Sequence, residues 1–201
     1  VGFESASDEV LRQNRKHITT NLFEICMQRA REYGFLIRAL FVIGLVGETK
    51  KQLFQTLKTV DYLRRNYSDC VKIPVFGIYT PYPHMPPDLR QIAGAYTEPT
   101  TMEEWSNYHH DRANHQWLTQ TERDYLENII WIYRYYSKRS KFTQTKKDKL
   151  LYYDAVIRWK LRFFSAAPEW RLVRKQEIQK YHDFLAEIRD RYQSVVLKSD
   201  G

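Results

Sequence analysis

The stretch Phe41-Val42-Ile43-Gly44-Leu45-Val46-Gly47-Glu48-Thr49 reads as a buried strand running into a glycine turn and a helix, a pattern that serves either a ligand or a tight turn alone. An apolar run rich in branched side chains reaches two glycines and then a threonine. Glycine lets a backbone approach a bound molecule closely. Thr49 can cap a following helix, whose first amides then face the end of the preceding strand. In α/β folds, small molecules bind beyond the carboxyl ends of strands. Other residues invite chemistry less strongly. His109, His110 and His115 lie on a polar stretch without paired carboxylates, so a solvated helix face is the simpler reading than a metal site. His84 sits in a proline-rich loop that would meet a substrate only if that loop faces the site. The basic run from Lys138 to Lys147 reads as a loop able to touch phosphate. Tyr133, Tyr135 and Tyr136 read as packing groups rather than a base-stacking platform.

The elements that must carry these residues follow from periodicity. Val1–Phe3 ends a strand, with Glu4 and Ser5 just past it, and Ser7 and Asp8 can cap a short helix around Val10 and Leu11. A helix from Thr20 or Asn21 to Gly34 has Leu22, Cys26, Ala30 and Tyr33 at helical spacing. Ile37–Ile43 is a buried strand, and the helix from Thr49 to about Arg65 puts Leu53, Phe54, Leu57 and Val60 on one face. Val71–Tyr79 is a further strand, with Pro74 near its start. Strand, helix, strand, helix, strand is the mark of crossovers in a parallel sheet, and three strands are too few to close a barrel.

Residues 81–101 crowd five prolines around Gly94 and read as a loop or linker. Beyond them only helices are expected. Thr101–Glu104 and Thr119–Glu122 have the capping-box pattern. Ile129–Tyr136 is apolar around most of its circumference and should be buried on several sides. Leu151, Ala155, Val156 and Trp159 define one more helix. Pro168 opens the last, with Ile178, Tyr181, Leu185 and Ile188 along a face.

The formal net charge of +8 permits an acidic partner such as nucleic acid without demanding one. Cys26 and Cys70, the only cysteines, lack metal-ligand spacing and imply no disulfide framework; Cys26 reads as a small core residue. No apolar run is long enough to span a membrane and no secretory signal is visible, so a cytoplasmic protein is expected. The chain opens on Val1, inside what looks like a strand, which suggests an upstream part.

Three pieces, in order, resemble the second half of a radical S-adenosylmethionine (SAM) enzyme barrel. Gly2-Phe3-Glu4-Ser5-Ala6-Ser7 is similar to the fourth-strand motif G-x-E-S-G-S. Phe41–Thr49 is similar to the fifth-strand motif I-x-G-L-P-G-E-T, and Tyr79-Thr80-Pro81-Tyr82-Pro83 to the sixth-strand ending. The helical remainder, with Trp105, Trp117-Leu118-Thr119 and Trp159, is more loosely similar to the extension of cobalamin-binding members. The resemblance implies an α/β fold: a partial parallel (β/α) barrel over residues 1–98, then an all-helical C-terminal region over 99–201. It implies that Glu4 and Ser5 meet the ribose or methionine part of SAM, and that Lys16, with Arg15 as the spare, meets its carboxylate. Val42, Gly44 and Leu45 would wall the adenine, and Ile78 and Tyr79 would contact it at the sixth strand. Gly44→Val would then block the nucleotide without unfolding the chain.

The departures are specific. The family holds its [4Fe-4S] cluster on a C-x3-C-x2-C loop after the first barrel strand. That loop is absent here and is expected upstream. Val46 stands where the family commonly has Pro, Ala6 where it has Gly, and His84-Met85 where it has Gly-Thr. The implied activity is reductive cleavage of SAM for radical chemistry or methyl transfer on a small-molecule or peptide substrate, with cobalamin as a further cofactor in one subgroup. The competing readings are a basic helical nucleic-acid-binding module and a scaffold that retains the half-barrel without chemistry. No helix-turn-helix, zinc-finger or RNA-binding signature supports the former.

Overall fold

The computed structural model describes residues 1–73, 76–81, 83–94, 96–105, 115–137, 145–165 and 167–199, with side chains to residue 180 and at 183, 184 and 186. Tyr82, Pro74, His109, His110 and most of the basic run after Lys138 lie outside these residues, as do the side chains of Tyr181, Leu185 and Ile188.

The chain is α/β and mostly helical, with short parallel strands in two small sheets. Three strands, β1 (Gly2–Glu4), β3 (Leu40–Ile43) and β5 (Phe76–Ile78), lie side by side in that order and all parallel. The second sheet pairs β2 (Ile37–Arg38) with β4 (Val71–Lys72) in parallel, extending the same chain paths backward. Between β1 and β3 run α1 (Asp8–Gln13) and α2 (Asn21–Glu32); between β3 and β4 runs α3 (Lys50–Asn66). The crossovers are needed because parallel neighbours cannot be joined by a hairpin.

The sheet has two unlike faces. Phe3, Phe41, Ile43, Phe76 and Ile78 are buried on one side. There Phe3 meets Phe23 of α2 at 4.4 Å between ring centroids. Phe76 meets Tyr133 at 4.8 Å and Trp159 at 6.1 Å. Fully burying one such ring contributes about 1.5–3 kcal/mol. On the other side Leu40 is 47% exposed and Val42 and Gly77, opposite each other in the ladder, are half-buried.

Contacts divide the chain into two compact units, Val1–Ser165 and Ala166–Gly201. Residue 98, where a boundary was expected, falls inside the first. The reason is visible in α6 (Gln120–Ser137) and α7 (Lys146–Leu161), which pack on the sheet's buried face rather than apart from it. Tyr133 donates to the Ile73 carbonyl at 2.9 Å, and the Trp159 indole donates to Asp61 of α3 at 2.8 Å. Ile129, Ile130, Trp131, Ile132, Tyr133 and Tyr135 are all buried, as their all-round apolar pattern predicted. The second unit is α8 (Pro168–Ser199), opened by Pro168.

Two local expectations change. The buried stripe of α2 is Phe23, Met27 and Ala30; Leu22 and Tyr33 are exposed and Cys26 is half-buried. The larger ring and thioether win the core face, one position around from the expected stripe. Residues 81–101, read as a loop, contain α4 (Pro87–Ala93), with Pro at its first position and Gly94 at its end, and α5 (Met102–Trp105) begins just past them. Leu89 and Ala93 bury one face of α4 against Val46, Met85 and Tyr96. Both expected capping boxes form, at Thr101–Glu104 and Thr119–Glu122.

Candidate functional site

The turn from β3 to α3 is held from several directions. Gly44 has φ of 73° and Gly47 of 76°, in the left-handed region that favours glycine. The Gly44 amide donates to Glu48 Oε2 at 2.8 Å, which folds the turn back on itself. Asn14, the C-cap of α1, donates to the Val46 carbonyl at 3.1 Å, and the Gln13 amide fills the space a side chain at Gly47 would need. Thr49 and Gln52 close a capping box on α3.

The residues suggested for SAM do not all face one space. Glu4 lies over Gly2 and faces Lys16, whose Nζ is 3.7 Å from its Oε1; both are partly exposed. Val42 and Gly77 share the sheet's more open face. Ser5 is fully buried and points the other way, its hydroxyl 3.4 Å from Thr56 Oγ1 and accepting from the Ser7 amide at 3.3 Å. It pins the β1–α1 turn. Ile78 is 2% exposed and belongs to the helix-covered face. Gly44 and Leu45 line a cavity of about 580 Å³ between the turn and α6, away from Val42. Arg15 pairs with Asp88 at 2.7 Å on the surface.

Tyr79 continues the ladder by donating its amide to Ile43 at 2.9 Å. Its carbonyl is met by His115 Nε2, and its ring stacks on the His115 ring. The sequence placed His115 on a solvated helix face; it is instead 1% exposed and packed between Tyr79 and Trp117. Burial pushes its pKa down to about 4.

Glu48 was not singled out from the sequence, yet it is the most perturbed acid at the turn. Burial raises its pKa to about 7, opposed by the amides of Gly44 and Leu45. Its Oε1 has no exposed surface and no hydrogen-bond partner among the described residues. No local signal marks it, since a glutamate between the exposed Gly47 and Thr49 reads as solvated and only the tertiary packing buries its carboxylate.

These two groups make opposite pH signatures. Glu48 titrates near 7 when folded and near 4.5 when unfolded, so its destabilising effect is complete above pH 7 and is relieved as pH falls toward 4.5. His115 titrates near 4 when folded and near 6.5 when unfolded, so stability is lost as pH falls through that window. Glu48→Gln is expected to raise stability at pH 8 by on the order of 2–3 kcal/mol and to leave it nearly unchanged at pH 4.5. Urea denaturation at the two pH values checks this; an equal gain at both would show that Glu48 is not buried in its charged form.

No family model matches the chain, and no curated protein or solved structure matches it. No helix among the described residues is long and apolar enough to cross a membrane.

Proposed function

We propose that this chain supplies the SAM-binding part of a radical SAM enzyme, the sheet β1-β3-β5 being the later strands of its (β/α) barrel. One observation carries the reading. The three motif-bearing strands are immediate parallel neighbours, so the segments after Glu4, Ile43 and Ile78 leave the same edge of one sheet. The more open face at that edge combines apolar and charged groups suited to the nucleotide. A side chain at Gly77 would meet only the Phe41 carbonyl and Val42 at 3.9 Å, so a flat ring has room there. Val42 supplies the apolar contact. Lys16 suits a carboxylate and Glu4 an ammonium or the ribose hydroxyls. Ser5, Ile78, Gly44 and Leu45 serve this reading by shaping the strand ends, not by touching the ligand.

This chain does not itself fit an iron-sulfur cluster. Cys70 is buried with its thiol toward the Met27 carbonyl, Cys26 lies on α2, and no group of three metal-ligating side chains occurs among the described residues. Cluster ligation on this reading belongs to an upstream C-x3-C-x2-C loop, and no residue here is assigned to cobalamin.

Equilibrium binding of SAM to the polypeptide extended upstream, under anaerobic reconstitution, tests the proposal. Glu4→Gln and Val42→Glu should each weaken SAM at least tenfold, about 1.4 kcal/mol, with an unchanged melting temperature. SAM affinity indifferent to both changes, or an upstream sequence without the three cysteines, would overturn it.

A further inference from the structure

The cavity lined by Gly44 and Leu45 lies off the face proposed for SAM and is built like a binding site in its own right. Its volume of about 580 Å³ falls in the range of small-molecule pockets. Leu53, Leu126 and Trp117 give it apolar walls, and Ile92, 48% exposed, stands at its margin. Two residues of the lining, Glu48 and Tyr125, each keep one polar atom unpaired among the described residues. Glu48 Oε1 and the Tyr125 hydroxyl are each buried without a hydrogen bond among the described residues. Buried polar groups are normally satisfied, and two orphans in one lining point to a partner that the chain does not provide.

The charge pattern selects the ligand. An anion is disfavoured by the Glu48 carboxylate. The start of α3 offers it little, because Thr49 and Gln52 already satisfy each other's amides in the capping box. Lys50, the nearest lining cation, rests over the rings of Phe54 and Tyr125, at 5.8 and 5.4 Å. An ammonium or amidinium would give Glu48 both a counter-charge and a hydrogen-bond donor, with the Trp117 ring in the same lining to attract a cation.

We propose that this cavity binds a small organic cation, an apolar or aromatic body bearing an ammonium or amidinium head, with Glu48 as counter-ion and the Tyr125 hydroxyl as second partner. The raised pKa of Glu48 agrees with a carboxylate that lacks such a partner in the free protein.

Three probes sharing an indole body separate the possibilities: tryptamine, tryptophol and indole-3-propionate, titrated into the 201-residue chain by calorimetry at pH 8. Tryptamine is expected to bind at least tenfold more tightly than tryptophol, and the carboxylate more weakly than either. Glu48→Gln should erase the preference for tryptamine and leave tryptophol unchanged. The side-chain carbonyl oxygen introduced by Glu48→Gln can still accept from the Gly44 amide, so the turn survives, and far-ultraviolet circular dichroism confirms it. Tyr125→Phe should weaken tryptamine two- to fivefold. The absence of saturable tryptamine binding, equal binding of tryptophol, preferential binding of the carboxylate, or a cation preference that persists in Glu48→Gln would each overturn the proposal. Because Glu4 and Val42 lie outside this lining, their variants should bind tryptamine normally whether or not the SAM reading holds.

Discussion

Trp159→Ala is expected to lower the melting temperature of the first unit by about 10–20 °C, the largest effect of any single truncation proposed for this protein. Trp159 is fully buried. Its ring lies 5.0 Å from Tyr133, 5.3 Å from Tyr136 and 5.8 Å from Phe164, and it reaches Phe76 in the sheet. Removing it leaves a large void, and a buried Trp→Ala change costs about 3–5 kcal/mol. The loss goes beyond volume. The indole donates to Asp61 Oδ1 at 2.8 Å, while Arg162 donates to Asp61 Oδ2 at 2.5 Å. Asp61 is therefore a buried carboxylate held by two donors, one on α7 and one at that helix's C-cap, and it becomes half-satisfied in the variant. Trp159→Phe should cost less, because most of the packing survives and only the Asp61 bond is lost. Thermal unfolding followed by near- and far-ultraviolet circular dichroism measures both. A loss below about 5 °C for Trp159→Ala would mean that α7 is not integral to the sheet's core.

Gly44→Val should destabilise the fold by about 2–5 kcal/mol, the sum of left-handed backbone strain and overpacking. The resemblance suggested a quieter result, loss of nucleotide binding in an intact chain. The structure changes that expectation. Gly44 has φ of 73°, which a β-branched residue adopts only under strain. A side-chain carbon there would lie 2.7 Å from Leu126 Cδ1, so the helix α6 side chain must move. Gly44→Ala should fall between, because it keeps the strain and the first contact but adds no branch. Urea midpoints with constant slopes provide the comparison. A Val variant as stable as the parent would show that the turn relaxes freely and that α6 is not pressed against it.

The order of elements through Tyr79 was legible because each carries a local signal. Branched apolar runs made Leu40–Ile43 a strand, Thr49 with Gln52 started α3, and Thr119 with Glu122 started α6. The parallel arrangement was expected from the intervening helices, since parallel neighbours require such crossovers, and the ladder has it. α4 was hidden because proline marks a helix's first position as readily as a loop, and only its packing on Val46 and Tyr96 distinguishes the two.

The chain's own letters determined which residues stand at strand ends; tertiary structure decided which way they point. Ser5 and Glu4 are adjacent in sequence, but one is sealed against Thr56 and the other faces Lys16. Val42 and Gly44 flank one residue, yet Val42 pairs with Gly77 in the sheet while Gly44 lines the cavity beside Leu126 of α6. Glu48 and His115 show the same limit for chemistry. An acid and an imidazole are ordinary solvated groups in a string of letters, and only burial in the folded chain moves their protons, raising the pKa of Glu48 and lowering that of His115 against the pull of their own backbone hydrogen bonds. Periodicity is a property of neighbours along the chain and survives in the sequence. Burial and charge environment are set by residues tens of positions away, so they exist only once the chain has closed on itself.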